Sequence, residues 1–342
     1  VGRVPDSLDE LHLIEPVNRT WDRIARLLPR HQLDPSLRDR ILRDAVTTAA
    51  LKEADVVEYH WQELATALLP GARKLAPTAR HVVFLHDVSS QSVRRAAATK
   101  TGLKALRARV KIRAVEIDEA MIVSLADAII VLSNKDRDLL PDQSKVIVQR
   151  PVVRVKPQVR QRRTSGHAPI FLFVAAFNRP ENLEAALWLY SEVWPRIRAV
   201  IPDAKLRFVG AQSDRMLADL VDPALEVATT GYVADLDGEY KSADVAVIPI
   251  HRGAGVKLKT LEAMVTATPS VSTSIGAEGI ERAADFIEIA DEPAQFAEAA
   301  LRLASDRTGV YALRAAEGAR WTMDAHSEEQ CRVALTRAIT GR

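Results

Sequence analysis

The segment 253–264, GAGVKLKTLEAM, follows the apolar run DVAVIPI (244–250) and holds residues suited to an anion and a diol. Gly253 and Gly255 let the backbone turn and approach a ligand closely. A helix that starts just after them aims free N–H groups and the positive end of its dipole at that place, which suits a diphosphate. Lys257 and Lys259 add cations beside it. Glu262 lies about 9 Å along the expected helix from Val256, at about 1.5 Å per residue. A carboxylate there does not serve a phosphate, but it can accept hydrogen bonds from both hydroxyls of a ribose. A purely architectural reading stays open, in which a tight turn leads into a helix with a Lys259–Glu262 surface pair.

Other groups invite weaker readings. Asp235 and Asp237 form a D-x-D pair, but they precede what reads as a helix start, where an aspartate caps free N–H groups. The histidines lack the spacing of a metal set, so no metal site is expected. His86 ends the run HVVFLHD (81–87), either facing a ligand or simply closing a strand while Asp87 caps a helix; His60 is a second candidate. Lys100, Lys104, Arg107 and Lys111 recur at helical spacing, opposite an apolar stripe of Leu103, Leu106, Val110, Ala114, Ile117 and Met121. The basic face of that helix, near 100–111, is either solvated or set against an anionic membrane or a phosphate-bearing lipid.

The elements that would position these groups alternate along the chain. Short β-branched runs at 55–60, 81–87, 128–133, 145–153, 169–176, 204–211, 225–233, 244–250 and 269–274 are separated by longer stretches of helical periodicity. Near-continuous apolar runs suit strands buried on both faces of a parallel sheet, and strand–helix repetition predicts a doubly wound α/β fold. The stretch 154–168, RVKPQVRQRRTSGHA, is basic and aperiodic and reads as an interdomain linker. The expected domains are 1–153, 169–320 and a terminal helical segment, 321–342.

The chain has 342 residues, of which 47% are hydrophobic, enough for two cores. Its 47 Lys and Arg against 45 Asp and Glu leave a net charge of +2, which gives no support to a nucleic-acid partner. The single cysteine, Cys331, excludes a disulfide scaffold and suits a reducing compartment. No apolar run approaches the twenty residues of a membrane span.

The stretch 252–280, RGAGVKLKTLEAM…TPSVSTSIGAEGI, resembles the nucleotide-sugar signature of GT-B glycosyltransferases, above all the retaining group 1 (family 4-like) transferases. FVAAFNRPENLEAALWLYSEVWP, LRFVGA and TGYVADLDGEYKSADVAVIPI are similar to that family in the same order, and HDVSSQSVRR and NKDRDLL extend the resemblance into the first half. It implies two Rossmann-like domains and metal-independent transfer of a sugar, with retention, from a nucleotide-diphosphate donor to a glycan or lipid-linked acceptor. It implies no cofactor beyond that donor, and a cytoplasmic protein in polysaccharide biosynthesis, with peripheral contact at the inner face of the membrane left open. Glu262 then matches the ribose acid. Gly253, Gly255, Lys257, Lys259 and Arg179 fall on the donor phosphates, Gly231, Tyr232 and Val233 beside the base, and Glu278 and Gly279 at the sugar end of the pattern. His86 matches a histidine that faces the sugar.

The sequence also departs from that pattern. Many members carry a further glutamate eight positions before the ribose acid, on the sugar side where it often contacts the transferred sugar, and here Ala254 stands there. Ala267 replaces a glycine. The first strand of the N-terminal domain and its glycine-rich loop are not recognisable. Two rivals therefore stay open: a non-catalytic nucleotide-sugar-binding or partner module, and a nucleotide-sugar epimerase on the same fold.

Overall fold

The computed structural model describes residues 35–98, 100–155, 168–306 and 308–341. The expectations for residues 1–34, and most of the expected linker at 154–168, lie outside the described residues. The chain divides into two compact units, Val1–Val148 with Ala334–Arg342, and Gln149–Val333.

In the first unit, α1 (Pro35–Arg43), α2 (Ala45–Glu53), β1 (Val56–His60), α3 (Gln62–Leu75), β2 (Arg80–Leu85), α4 (Ser89–Ala97), α5 (Gly102–Leu125), β3 (Ala128–Val131), α6 (Asn134–Asp138) and β4 (Val146–Val148) follow one another. The four strands form a parallel sheet in the order β1-β2-β3-β4. β2 and β3 are apolar at nearly every position because helices cover both faces of a parallel sheet. One polar group is buried among them. His81 Nε2 lies 2.9 Å from the Ala76 carbonyl, which can only accept, so Nδ1 is the acceptor for the Tyr59 hydroxyl at 2.8 Å.

α5 packs on a face that only partly coincides with the apolar stripe marked in the sequence. Ala108, Ala114, Val115, Glu119, Ile122 and Val123 are its buried residues, and it packs on α3 and α4. Small and β-branched side chains let the helices approach closely, and Glu119 accepts the Ser90 backbone N–H at 2.9 Å. Of the apolar stripe marked in the sequence, Leu103, Leu106, Val110 and Ile117 are exposed, whereas Ala114 is buried and Met121 packs half-buried against the core.

The second unit holds β5 (Ile170–Val174), α7 (Pro180–Trp188), α8 (Trp194–Val200), β6 (Lys205–Val209), α9 (Ser213–Met216), β7 (Val227–Thr229), α10 (Leu236–Ser242), β8 (Val245–Ile248), α11 (Leu258–Val265), β9 (Ser270–Ser272), α12 (Ala283–Phe286), β10 (Glu288–Ile289), α13 (Pro293–Ala304) and α14 (Val310–Ala325). α15 (Glu328–Thr340) begins in this unit and ends in the first. The sheet is parallel, in the order β10-β9-β8-β5-β6-β7. β10 has no counterpart in the sequence reading; at two residues it is too short to show a period. Between α7 and α8 a π-helical turn, Leu189–Val193, interrupts the expected single helix. Pro195 has no N–H to return to the preceding turn, which accounts for the irregularity.

The boundary at Gln149 falls earlier than the linker expected from composition. Pro151 O meets His326 Nδ1 at 2.9 Å, Arg150 pairs with Glu281 at 2.7 Å, and Val153 packs beside Leu261 and Trp321, so 149–153 group with the second unit. Residues 321–333 also stay with that unit, whereas Ala338 is buried on the first unit's sheet face and its carbonyl takes a hydrogen bond from Arg80 Nε. Among the described residues no helix is long and apolar enough to cross a membrane.

Candidate functional site

In the second sheet, strands added in opposite directions from β5 and β8 make those neighbours the switch point, where α/β folds open a crevice beyond the carboxyl ends. The loops leaving β5 and β8 carry the segment singled out from the sequence. Phe177 anchors the first of them. It is fully buried and meets Phe173 and Phe208 edge-on, with centroids 5.5 and 5.9 Å away. Its N–H bonds Ala211 O at 2.9 Å, and Ala175 N bonds Val209 O at 2.9 Å. Arg179 follows as the residue before α7, exposed, with no hydrogen bond from its guanidinium to a described residue.

In the loop after β8, Gly253 (φ 111°) and Gly255 (φ 70°) occupy backbone conformations that L side chains rarely adopt. Lys257 folds back over them, donating to Ala254 O at 3.1 Å and Gly255 O at 2.7 Å. α11 starts at Leu258, two residues later than expected, so Glu262 stands about 6 Å into the helix. Thr260 Oγ1 donates to Gly276 O at 2.6 Å and ties the helix to the loop after β9. That loop holds half-buried Glu278 and Gly279.

Lys259 and Glu262 do not form the surface pair that the sequence left open. Lys259 Nζ donates to Asn182 Oδ1 at 2.6 Å and lies 5.4 Å from the centre of the Phe173 ring. Burial, with the Lys257 ammonium beside it, brings its pKa down to about 8. Asn182 is itself buried, and its Nδ2 donates to Ala176 O at 2.8 Å, which fixes the direction of Oδ1. Glu262 Oε2 faces the buried Tyr240 hydroxyl at 3.2 Å, and Oε1 has no partner among the described residues. Burial raises the Glu262 pKa, while the Tyr240 hydrogen bond and Lys259 draw it back.

Gly231, Tyr232 and Val233 follow β7. Gly231 N bonds Ser213 Oγ at 2.9 Å and its carbonyl accepts from Gly210 N at 2.9 Å, whereas Tyr232 is 79% exposed, its ring open to solvent. Asp235 caps α10, accepting from Gly238 N at 3.0 Å. His86 belongs to the first unit, just beyond β2. Its ring lies 4.2 Å from Trp61 and 5.7 Å from His60, and burial, then the neighbouring His60, lower its pKa.

The sequence reading missed three groups. Asn182 clamps Lys259; its one signal was the Pro-x-Asn start of α7. Tyr240 holds Glu262 but reads in sequence as an ordinary core aromatic. His251 lies under Trp188, centroids 4.4 Å apart, with Nε2 buried and unpartnered among the described residues; nothing in the sequence marked it.

Three solved structures superimpose on this arrangement. Sucrose-phosphate synthase from Thermosynechococcus elongatus gives a TM-score of 0.65 at 17% identity, over 90% of this chain and 78% of that one. Anabaena HepE in complex with UDP gives 0.66 at 13% identity, over 90% and 82%. The apo lipopolysaccharide outer core galactosyltransferase WaaB gives 0.60 at 13% identity, over 91% and 82%. The fold matches that of the GT-B glycosyltransferases. In sequence, residues 168–306 match the family model of the glycosyl transferases group 1. A stretch of 147 residues is 29% identical to an uncharacterized 44.6 kDa protein in the cps region of Klebsiella pneumoniae. That match spans 41% of this chain and 38% of the Klebsiella protein's length.

Proposed function

We propose that the chain transfers a sugar from a nucleotide-diphosphate donor to a glycan or lipid-linked acceptor in polysaccharide biosynthesis. The observation that carries the reading is Glu262: one carboxylate oxygen is turned to Tyr240 and the other is without a partner among the described residues, a helical turn past the start of α11 and close to a clamped lysine. The carboxylate accepts the ribose hydroxyls. The diphosphate lies against the N–H groups at the start of α11, with Lys257, Lys259 and Arg179 around it. Gly231, Tyr232 and Val233 border the base, and Glu278 and Gly279 the sugar. As the bond to the sugar breaks, negative charge grows on the leaving diphosphate, and preorganised donors and cations stabilise it there.

Finer parts of the proposal are retention of configuration, independence of a metal, a hexosyl group as the transferred sugar, and His86 as the histidine facing it. The match to the group 1 model supports them, and the Klebsiella relative's place in a cps region supports the polysaccharide acceptor. UDP is the first nucleotide to try, since the HepE structure holds it. Cytoplasmic action follows the same reading.

The test is a thermal-shift and calorimetric panel of UDP, GDP, ADP and TDP sugars, followed by product analysis with and without acceptor. One donor nucleotide should bind the parent protein and lose affinity in Glu262→Gln. If no nucleotide sugar binds, the reading fails. Ala254 is the feature that favours a binding module instead; donor binding without turnover in the presence of acceptor would decide for that second reading.

A further inference from the structure

The outward face of α5 is a stripe without a partner among the described residues of its own unit. Leu103, Leu106, Val110 and Ile117 are 76%, 58%, 53% and 40% exposed. At about 100° per residue these positions fall within roughly 60° of one another around the helix axis. They point away from the buried side formed by Ala108, Val115, Ile122 and Val123; only Ala114, at the edge of the stripe, is buried there. Lys104, Arg107 and Lys111 run along one flank of the stripe, and Arg109 and Arg113 along the other. From 100 to 113 the chain contains no aspartate or glutamate. The first acid, Glu116, is engaged by Arg94 at 2.6 Å and Arg113 at 3.4 Å. Lys104, Arg107, Arg109 and Lys111 are exposed and make no ion pair with a described residue.

We propose that this half of α5 lies in the headgroup region of an anionic lipid bilayer. An apolar stripe edged on both sides by cations is the pattern of a helix parallel to a membrane plane. The aliphatic side chains enter the acyl boundary, and the longer basic side chains reach outward to lipid phosphates. A nucleic acid would satisfy the cations but leave the leucines in water. A second copy of the same helix would cover the leucines but set both rows of cations against their own kind. An anionic bilayer satisfies both at once.

The surface can be tested without donor or acceptor, so the outcome is independent of the transferase reading. The full chain is sedimented with vesicles of phosphatidylcholine alone and of equal parts phosphatidylglycerol and phosphatidylcholine. The parent protein should bind the mixed vesicles, and less so at high salt. Lys104→Gln with Arg107→Gln should weaken binding roughly 25-fold, from about fivefold per basic side chain at an anionic surface. Leu103→Ser with Leu106→Ser keeps every charge and should still weaken it at least about tenfold. Both pairs are exposed, and unchanged thermal melts would verify that the fold is intact. The proposal is overturned if the parent protein ignores the mixed vesicles. It is also overturned if the leucine pair variant binds as well as the parent, which would mean ionic adsorption alone. A parent dimer in sedimentation velocity that Leu106→Ser dissolves, without vesicle binding, would make the stripe a self-interface instead.

Discussion

Asn182 Oδ1 accepts the Lys259 ammonium at 2.6 Å, joining the first turn of α7 to the first turn of α11 across the switch point of the sheet. Two loops separated by more than seventy residues are thereby held in one geometry. Asn182→Ala should cost about 1.5–3 kcal/mol of stability, because a buried cation loses a charged hydrogen bond. It should also weaken donor affinity. Asn182→Asp should keep most of the stability yet still weaken donor binding, since it places a carboxylate beside the diphosphate. Chemical denaturation and calorimetry on the two variants separate these effects.

Lys259 supplies a pH signature. Its pKa of about 8 lies below the ordinary lysine value of 10.5, so above pH 8 the folded protein loses a proton that the unfolded chain retains. Stability should therefore rise from about pH 8 toward the unfolded lysine value. Donor binding should run the other way, because the diphosphate needs the cation. At pH 8.5 binding should take up a proton, and its calorimetric enthalpy should change with the ionisation enthalpy of the buffer. Buffer-independent enthalpy in the parent, or dependence that persists in Lys259→Met, would count against this assignment.

Glu262→Gln should reduce donor affinity by about 1.5–3 kcal/mol per lost charged hydrogen bond. A donor lacking both ribose hydroxyls should already bind poorly to the parent protein and lose little more in the variant. Equal losses for both donors would make Glu262 a structural residue.

Tyr240→Phe removes a hydrogen bond that favours the Glu262 carboxylate. The pKa of Glu262, already raised by burial, should climb further. Donor affinity, which depends on the ionised form, should begin to fall at a higher pH on acidification than in the parent, while affinity well above that range changes less. Titration of donor affinity from neutral to mildly acidic pH reads the difference.

Gly210→Ala should destabilise the second unit by at least about 2 kcal/mol. Gly210 has φ 129°, and a Cβ there would sit 2.2 Å from the Ala175 carbonyl oxygen. Because Gly210 N also bonds Gly231 O, loss should appear in donor binding as well as in the melting temperature.

Much of this was legible in the sequence, and the limits are physical. Strands such as 244–250 and 169–176 announce themselves because helices cover both faces, so nearly every residue is apolar. Gly253 and Gly255 are readable because few other residues tolerate their backbone angles. The partner of Lys259 was not, since a lysine three residues before a glutamate on a helix looks like a surface pair, and only tertiary structure brings Asn182 beneath it. Tyr240 is invisible for the same reason: periodicity reports that it is buried, not where its hydroxyl ends. The packed face of α5 is only partly legible, because periodicity finds an apolar stripe without saying what covers it: Ala114 of that stripe is buried, but Ala108, Val115 and Val123 on the other side supply most of the packed face.

The burial of Ala338 on the first unit's sheet bears on how the polypeptide is made. Synthesis delivers β1 to β4 first, yet their outer face is completed by residues more than 180 positions later. Domains ordinarily fold in the order in which they leave the ribosome. Here the second unit has its strands in hand while the first still waits for 334–341, so the earlier-made sheet is finished last. A ribosome stalled before residue 334 should therefore hold a protease-resistant second unit beside a first unit that is still cleaved.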